Sequence, residues 1–272
     1  MSPSKLSPGR NAPAAEAQPI IWPDKVDLLG VEVSRVNYRE AVDVIVRAAE
    51  SGESGIVGCH AVHAIVTMAG DEELREMANR YKMITPDGQP VRWAMNLLHR
   101  TGLKDRVYGP ELMLRLCAQC ERKQIPIYLY GGNEEVSAKL VDSLQKQFPG
   151  LPIAGAEAPP FRPLTEQEDR EVVNRIRHSG AKLVFVGLGC PKQDLFAHQH
   201  RLSISAVQVC VGAAFDFHAG FKPMAPDWMQ RSGLEWLYRF CQEPRRLWKR
   251  YLVTNSLFIW KVGIAWLNGK VG

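Results

Sequence analysis

Hydrophobic positions along this chain switch repeatedly between a period of two and a period near 3.6. From Lys25 the run DLLGVEVSRV alternates apolar and polar residues as a hairpin does, and YREAVDVIVRAAE (38–50) then sets Ala41, Val44, Ile45 and Ala48 on one helical face. An apolar run at 55–59 predicts a strand, helical patterns follow at 61–68 and 72–81, and a short strand at 82–85 ends on Pro86, Asp87 and Gly88. Further helices are predicted over 91–100, 111–123 and 135–148, with apolar strands at 127–130, 183–186 and 207–211. A strand, glycine turn, helix unit recurs at Gly131-Gly132-Asn133, at Gly187-Leu188-Gly189-Cys190-Pro191 and, more loosely, at Gly212. Strands this apolar need cover on both faces, so the expected fold class is α/β, a parallel sheet with crossover helices. The stretch 211–220 is expected to belong to the sheet.

Open parallel sheets place ligands at the carboxyl ends of their strands, where Asp87 lies. Glycine turns that open helices present backbone N–H groups to phosphate. Gly131, Gly132, Asn133, Gly187, Gly189 and Lys192 are therefore candidates for a nucleotide or diphosphate. Tight strand-to-helix turning is the other reading of the glycines. Neither turn is a G-x-G-x-x-G followed by an acid, and no G-x-x-x-x-G-K-[ST] occurs.

Composition changes the picture mainly at the ends. With 272 residues, 46% hydrophobic and 23% charged, the chain can bury a full core. The Pro-, Ser- and Ala-rich start predicts a disordered arm over 1–24, ahead of a core over 25–222 and a C-terminal helical appendage over 223–272. Beyond residue 221 stand nine Lys and Arg against three acids, with five of the seven Trp. Basic residues interleaved with aromatics suit an anionic membrane surface or a phosphate-bearing ligand. No run is apolar enough to span a membrane; the closest, 251–267, is broken by Thr254, Asn255, Ser256 and Lys261. The six Cys are scattered through predicted strands and helices, which argues for reduced thiols. Cys117 and Cys120 fall inside a helical run and read as packing residues.

Seven blocks, TPDGQPV (85–91), RVYGPELM (106–113), YLYGGN (128–133), VGLGCPKQD (186–194), FDFHAG (215–220), APDWMQ (225–230) and LEWLYRFCQEPRRLWKRYL (234–252), together resemble the WecG/TagA/CpsF glycosyltransferases, glycosyltransferase family 26. The resemblance covers roughly residues 27–255. It implies a Rossmann-like core with a membrane-associating appendage that completes the active site. It also implies an inverting, metal-independent enzyme on the cytoplasmic face of the bacterial membrane. Such enzymes move a sugar from a UDP donor to a polyprenyl-diphosphate-linked sugar during cell-surface polysaccharide synthesis. N-acetylmannosamine, its uronic acid and glucose all occur as transferred sugars. The expected partners are donor, acceptor and membrane, with self-association off the membrane and no nucleic acid.

An inverting transfer needs a general base for the acceptor hydroxyl, and the family's base falls on Asp87; the other reading of Asp87 is a helix N-cap. Departing UDP gathers negative charge, and without an Asp-x-Asp to hold a metal, fixed cations are the expected substitute. Arg239, Arg246 and Lys249, spaced at +7 and +3, are expected to share one helical face and hold diphosphate. Gln193 matches an active-site position, and its other reading is a surface residue of a first helical turn. Asp216 is a candidate for a ribose or sugar hydroxyl, or a buried structural carboxylate.

Two departures stand out. The family's Thr-x-Asn near the first sheet strand's end is Gly58-Cys59-His60 here, and Met224 replaces a frequent Arg. His60 and His63 lack a third ligand for zinc. Two further readings remain at this point: a nucleotide-dependent oxidoreductase or epimerase, and a non-catalytic peripheral membrane protein.

Overall fold

The computed structural model describes residues 19–269. In chain order its elements are β1 (Lys25–Leu28), β2 (Val31–Ser34), α1 (Tyr38–Ser51), β3 (Gly55–His60), α2 (Val62–Ala69), α3 (Glu72–Asn79), β4 (Met83–Pro86), α4 (Gln89–His99) and α5 (Gly109–Lys123). There follow β5 (Ile127–Gly131), α6 (Glu134–Gln147), β6 (Ile153–Glu157), α7 (Glu166–His178), β7 (Leu183–Gly187), α8 (Lys192–Gln199), β8 (Val207–Cys210) and α9 (Ala214–His218). The C-terminal elements are α10 (Asp227–Arg231), α11 (Glu235–Gln242) and α12 (Pro244–Leu267).

Strands β1 and β2 form the antiparallel hairpin, and the other six form one sheet in the order β4-β3-β8-β7-β5-β6, each pair parallel. Successive strand residues point to opposite faces, and the core divides accordingly. Ile127, Leu129, Leu183 and Phe185 meet α1, α5 and α6 on one side; Tyr128, Tyr130, Val184 and Val186 join α2, α4, α7 and α12 on the other. The fold is the expected Rossmann-like α/β architecture. Helix starts follow local chemistry: Asn37 with Glu40 and Thr165 with Glu168 close capping boxes on α1 and α7.

Three expectations change. Strand β6 and helix α7 escape the hydrophobic pattern because β6 is a half-exposed edge strand and α7 buries only Val172, Val173 and Ile176. Residues 214–218, expected in the sheet, form α9, since β8 ends at Cys210 and the chain turns at Gly212. Arg239 and the pair Arg246 and Lys249 do not share a helix. Glu243, held out of the helical conformation ahead of Pro244 at φ −133° and ψ 59°, separates α11 from α12. Of the arm expected over 1–24, residues 1–18 lie outside the described residues, while Ile20 and Trp22 pack on the core and Trp22 donates to Glu53.

Gly131 and Gly187 are register partners at the ends of β5 and β7. A Cβ on Gly131, at φ +144°, would stand 2.6 Å from the Gly187 carbonyl. Gly131→Ala is therefore expected to lose about 3 kcal/mol of stability, the combined cost of overpacking and a disfavoured backbone. Urea unfolding of the purified variant measures it.

Candidate functional site

All six parallel strands release their carboxyl ends on one edge of the sheet, and a cleft of about 1630 Å³ opens there. Asp87 follows β4 directly. Its Oδ2 accepts from the Gly109 N–H at 3.1 Å, at the first turn of α5. It therefore sits at a helix N-terminus, but not as a cap of α4, whose N-cap is Gly88. A Cβ on Gly109 would lie 3.2 Å from both Asp87 Oδ2 and Cys59 Cβ, so glycine there permits the close approach.

Above Asp87 the core and the C-terminal helices are joined by charge. Arg106 Nη1 meets Glu235 Oε2 at 2.6 Å, Arg106 Nη2 donates to Gln230, and the guanidinium lies 4.1 Å from the centre of the Tyr108 ring. Arg239 Nη1 is 3.7 Å from the other Glu235 oxygen and faces the Phe217 ring. Arg106 and Glu235 are 6% and 8% exposed, so neither charge is solvated. Burial pushes the Asp87 carboxyl up to about 6 against the lowering pull of Arg106, the Gly109 N–H and Arg239, and Glu235 adds to the rise. A carboxyl titrating there is ionised at neutral pH yet basic enough to accept a proton.

The sequence candidates divide. Gly132, Asn133, Gly187, Gly189, Lys192, Gln193, Asp216 and Arg239 line the same cleft as Asp87. Gly131 does not, and its glycine answers to the β5–β7 approach instead. Gln193 is buried rather than a surface residue, and its Oε1 accepts from the Gly189 N–H at 3.2 Å, leaving the Nε2 donors for a ligand. Asn133 spends its Oδ1 capping α6 through the Val136 N–H. Asp216 is half-buried and pairs with Lys222 at 2.7 Å. Arg246 and Lys249 start α12, but their side chains lie outside the described ones.

Sequence reasoning gave no role to Arg106 or Glu235. The available signal was Glu235 itself, one of three acids in a basic tail. Among the described residues, no three or more His, Cys, Asp or Glu gather where a metal ion could be held. The cleft lining also carries exposed apolar side chains, Leu195, Trp248, Leu252 and Ile259. Among the described residues no helix is long and apolar enough to cross a membrane.

A family model described as "Glycosyl transferase WecG/TagA/CpsF family" matches residues 26–271. Two curated proteins named N-acetylglucosaminyldiphosphoundecaprenol N-acetyl-beta-D-mannosaminyltransferase are similar to the chain. The one from Bacillus spizizenii (strain ATCC 23059 / NRRL B-14472 / W23) is 34% identical over 170 residues, 62% of this chain and 63% of that protein. The one from Bacillus subtilis (strain 168) is 32% identical over 183 residues, 67% of this chain and 69% of that protein. The match to the first thus spans less than two thirds of its length.

The raised Asp87 pKa has a consequence for stability. An unfolded Asp titrates near 3.9, so the native state holds this proton more tightly, and the associated stability is present below about pH 4 and lost as pH rises through about 6. Asp87→Asn, which stays neutral, is expected to exceed wild type by about 3 kcal/mol at pH 8 and to match it near pH 4. Urea unfolding at the two pH values gives the comparison; a variant less stable at pH 8 contradicts it.

Proposed function

Since the chain belongs to the WecG/TagA/CpsF glycosyltransferase family, we propose that it transfers an N-acetylmannosaminyl group from a UDP donor to an N-acetylglucosaminyl-diphosphate-polyprenol acceptor. The sugar and acceptor follow the names of the similar proteins. The observation that carries the proposal is a carboxylate titrating near 6, at a strand end, in one cleft with two partly neutralised arginines.

In this reading Asp87 takes the proton from the acceptor hydroxyl as it attacks the anomeric carbon, opposite the departing UDP. The configuration inverts. Arg239, with Arg246 and Lys249 from the start of α12, meets the growing charge on the leaving diphosphate, the task a divalent metal performs elsewhere. Arg106 supplies a further cation beside Asp87. Gln193 and the turns at Gly132 and Gly189 offer donors to the nucleotide or sugar, with Lys192 at the rim. The cleft that holds these polar groups is also lined by Leu195, Leu252 and Ile259, which suits a diphosphate continued by an apolar chain.

The same reading places residues 223–272 as an appendage at the cytoplasmic face of the membrane. Trp248, Trp260 and Trp266 on α12 are each at least half exposed, and amphipathic rings of this kind favour a lipid interface. Away from lipid, a second copy of the chain would cover that face.

Asp87→Asn is expected to lower turnover about a thousandfold while UDP-sugar binding persists. A chelator is expected to leave the rate unchanged. Transfer of labelled sugar to a polyprenyl-diphosphate acceptor, measured with and without EDTA, checks both; full activity of the variant or a strict metal requirement overturns the mechanism.

A further inference from the structure

Beneath the cleft floor lies a buried polar cluster that the proposed chemistry does not use. His60, at the end of β3, meets the Asp194 carboxylate through Nε2 at 2.9 Å, and both side chains are fully buried. A carboxylate only accepts, so the ring carries its proton on Nε2 toward Asp194. Tyr81, also buried, donates its hydroxyl to the Asp194 carbonyl at 3.1 Å. Asp194 is thereby held through both its side chain and its backbone. It is the residue after Gln193 in the first turn of α8, and the Gln193 carbonyl in turn accepts from the Cys210 thiol at 3.7 Å.

Gly58 is part of the same arrangement. A Cβ at that position would stand 2.7 Å from His60 Nε2 and 3.1 Å from its neighbouring ring carbons, so the ring reaches Asp194 only because residue 58 has no side chain. Gly58 and His60 are thus coupled: the absence of a side chain at 58 makes room for the imidazole at 60.

We infer that His60, Asp194 and Tyr81 form a clamp that positions Gln193, and through its bond to Gly189 the turn before α8, against the bound substrate. Its activity arm rests on the transferase reading. His60 and Asp194 touch no substrate; they are positioning residues. Catalytic and binding groups are held to within a fraction of an ångström by such supports, and loosening them is felt in the rate.

The test compares His60→Leu, which removes the donor, with His60→Gln, which keeps an N–H at similar reach, each alone and combined with Gln193→Ala. Per folded molecule, His60→Leu is expected to lower kcat/KM about tenfold to a hundredfold and His60→Gln to recover to within about threefold. Gln193→Ala should then cost less in the His60→Leu background than in wild type, because a displaced amide has little left to lose. Hydrogen exchange supplies an arm independent of activity: in His60→Leu and in Gly58→Ala, peptides covering 187–196 should exchange faster while those from α1 do not. Equal cost of Gln193→Ala in both backgrounds, or exchange that quickens evenly across the protein, overturns the clamp. Absence of sugar transfer by wild type would remove the transferase reading instead, and the exchange comparison would then decide the clamp alone.

Discussion

The ion pair between Arg106 and Glu235 is the contact on which the site depends. Both groups are nearly excluded from water, and removing one partner of such a pair leaves an uncompensated buried charge at a cost of about 3 to 5 kcal/mol. Arg106 belongs to the segment between α4 and α5, and Glu235 opens α11. The pair therefore fastens the C-terminal helices to the core directly over Asp87. It also sets the balance at that carboxylate, since Arg106 draws its pKa down while Glu235 and burial raise it. One contact fixes both the geometry and the proton affinity of the proposed base.

The sheet supplies the rest. Parallel strands deliver Asp87, Gly187 and the turn at Gly212 to the same edge, and α5 directs its first N–H at Asp87. The clamp around Asp194 gives the cleft floor a comparable anchor. The cleft thus stands between two buried polar contacts, one tying the appendage down and the other holding the turn before α8.

The order of strands and helices was legible because most sheet strands are buried on both faces and most helices carry a continuous apolar stripe. Edge strand β6 and the largely polar α7 carry neither signal. Asp87 stood out by its place after a strand, whereas Arg106 and Glu235 meet across distant parts of the chain and leave no local pattern. Glycine was the ambiguous case: Gly131 serves the approach to Gly187 on the neighbouring strand, Gly187 makes room for the Phe215 ring, Gly109 serves the approach to Asp87, and Gly58 makes room for His60. One residue type thus answers to four different neighbours, which only the fold reveals. The continuous basic face expected of Arg239, Arg246 and Lys249 failed for a local reason, the break that Pro244 imposes.

The central claim is that Asp87 is the general base and that Glu235 helps set its pKa. The most direct measurement is the pH dependence of kcat/KM for wild type and Glu235→Gln. The account predicts an acid limb near pH 6 for wild type and a limb shifted to lower pH in the variant, because a carboxylate that raises the Asp87 pKa has been neutralised. A limb that stays in place, or moves upward, would contradict it.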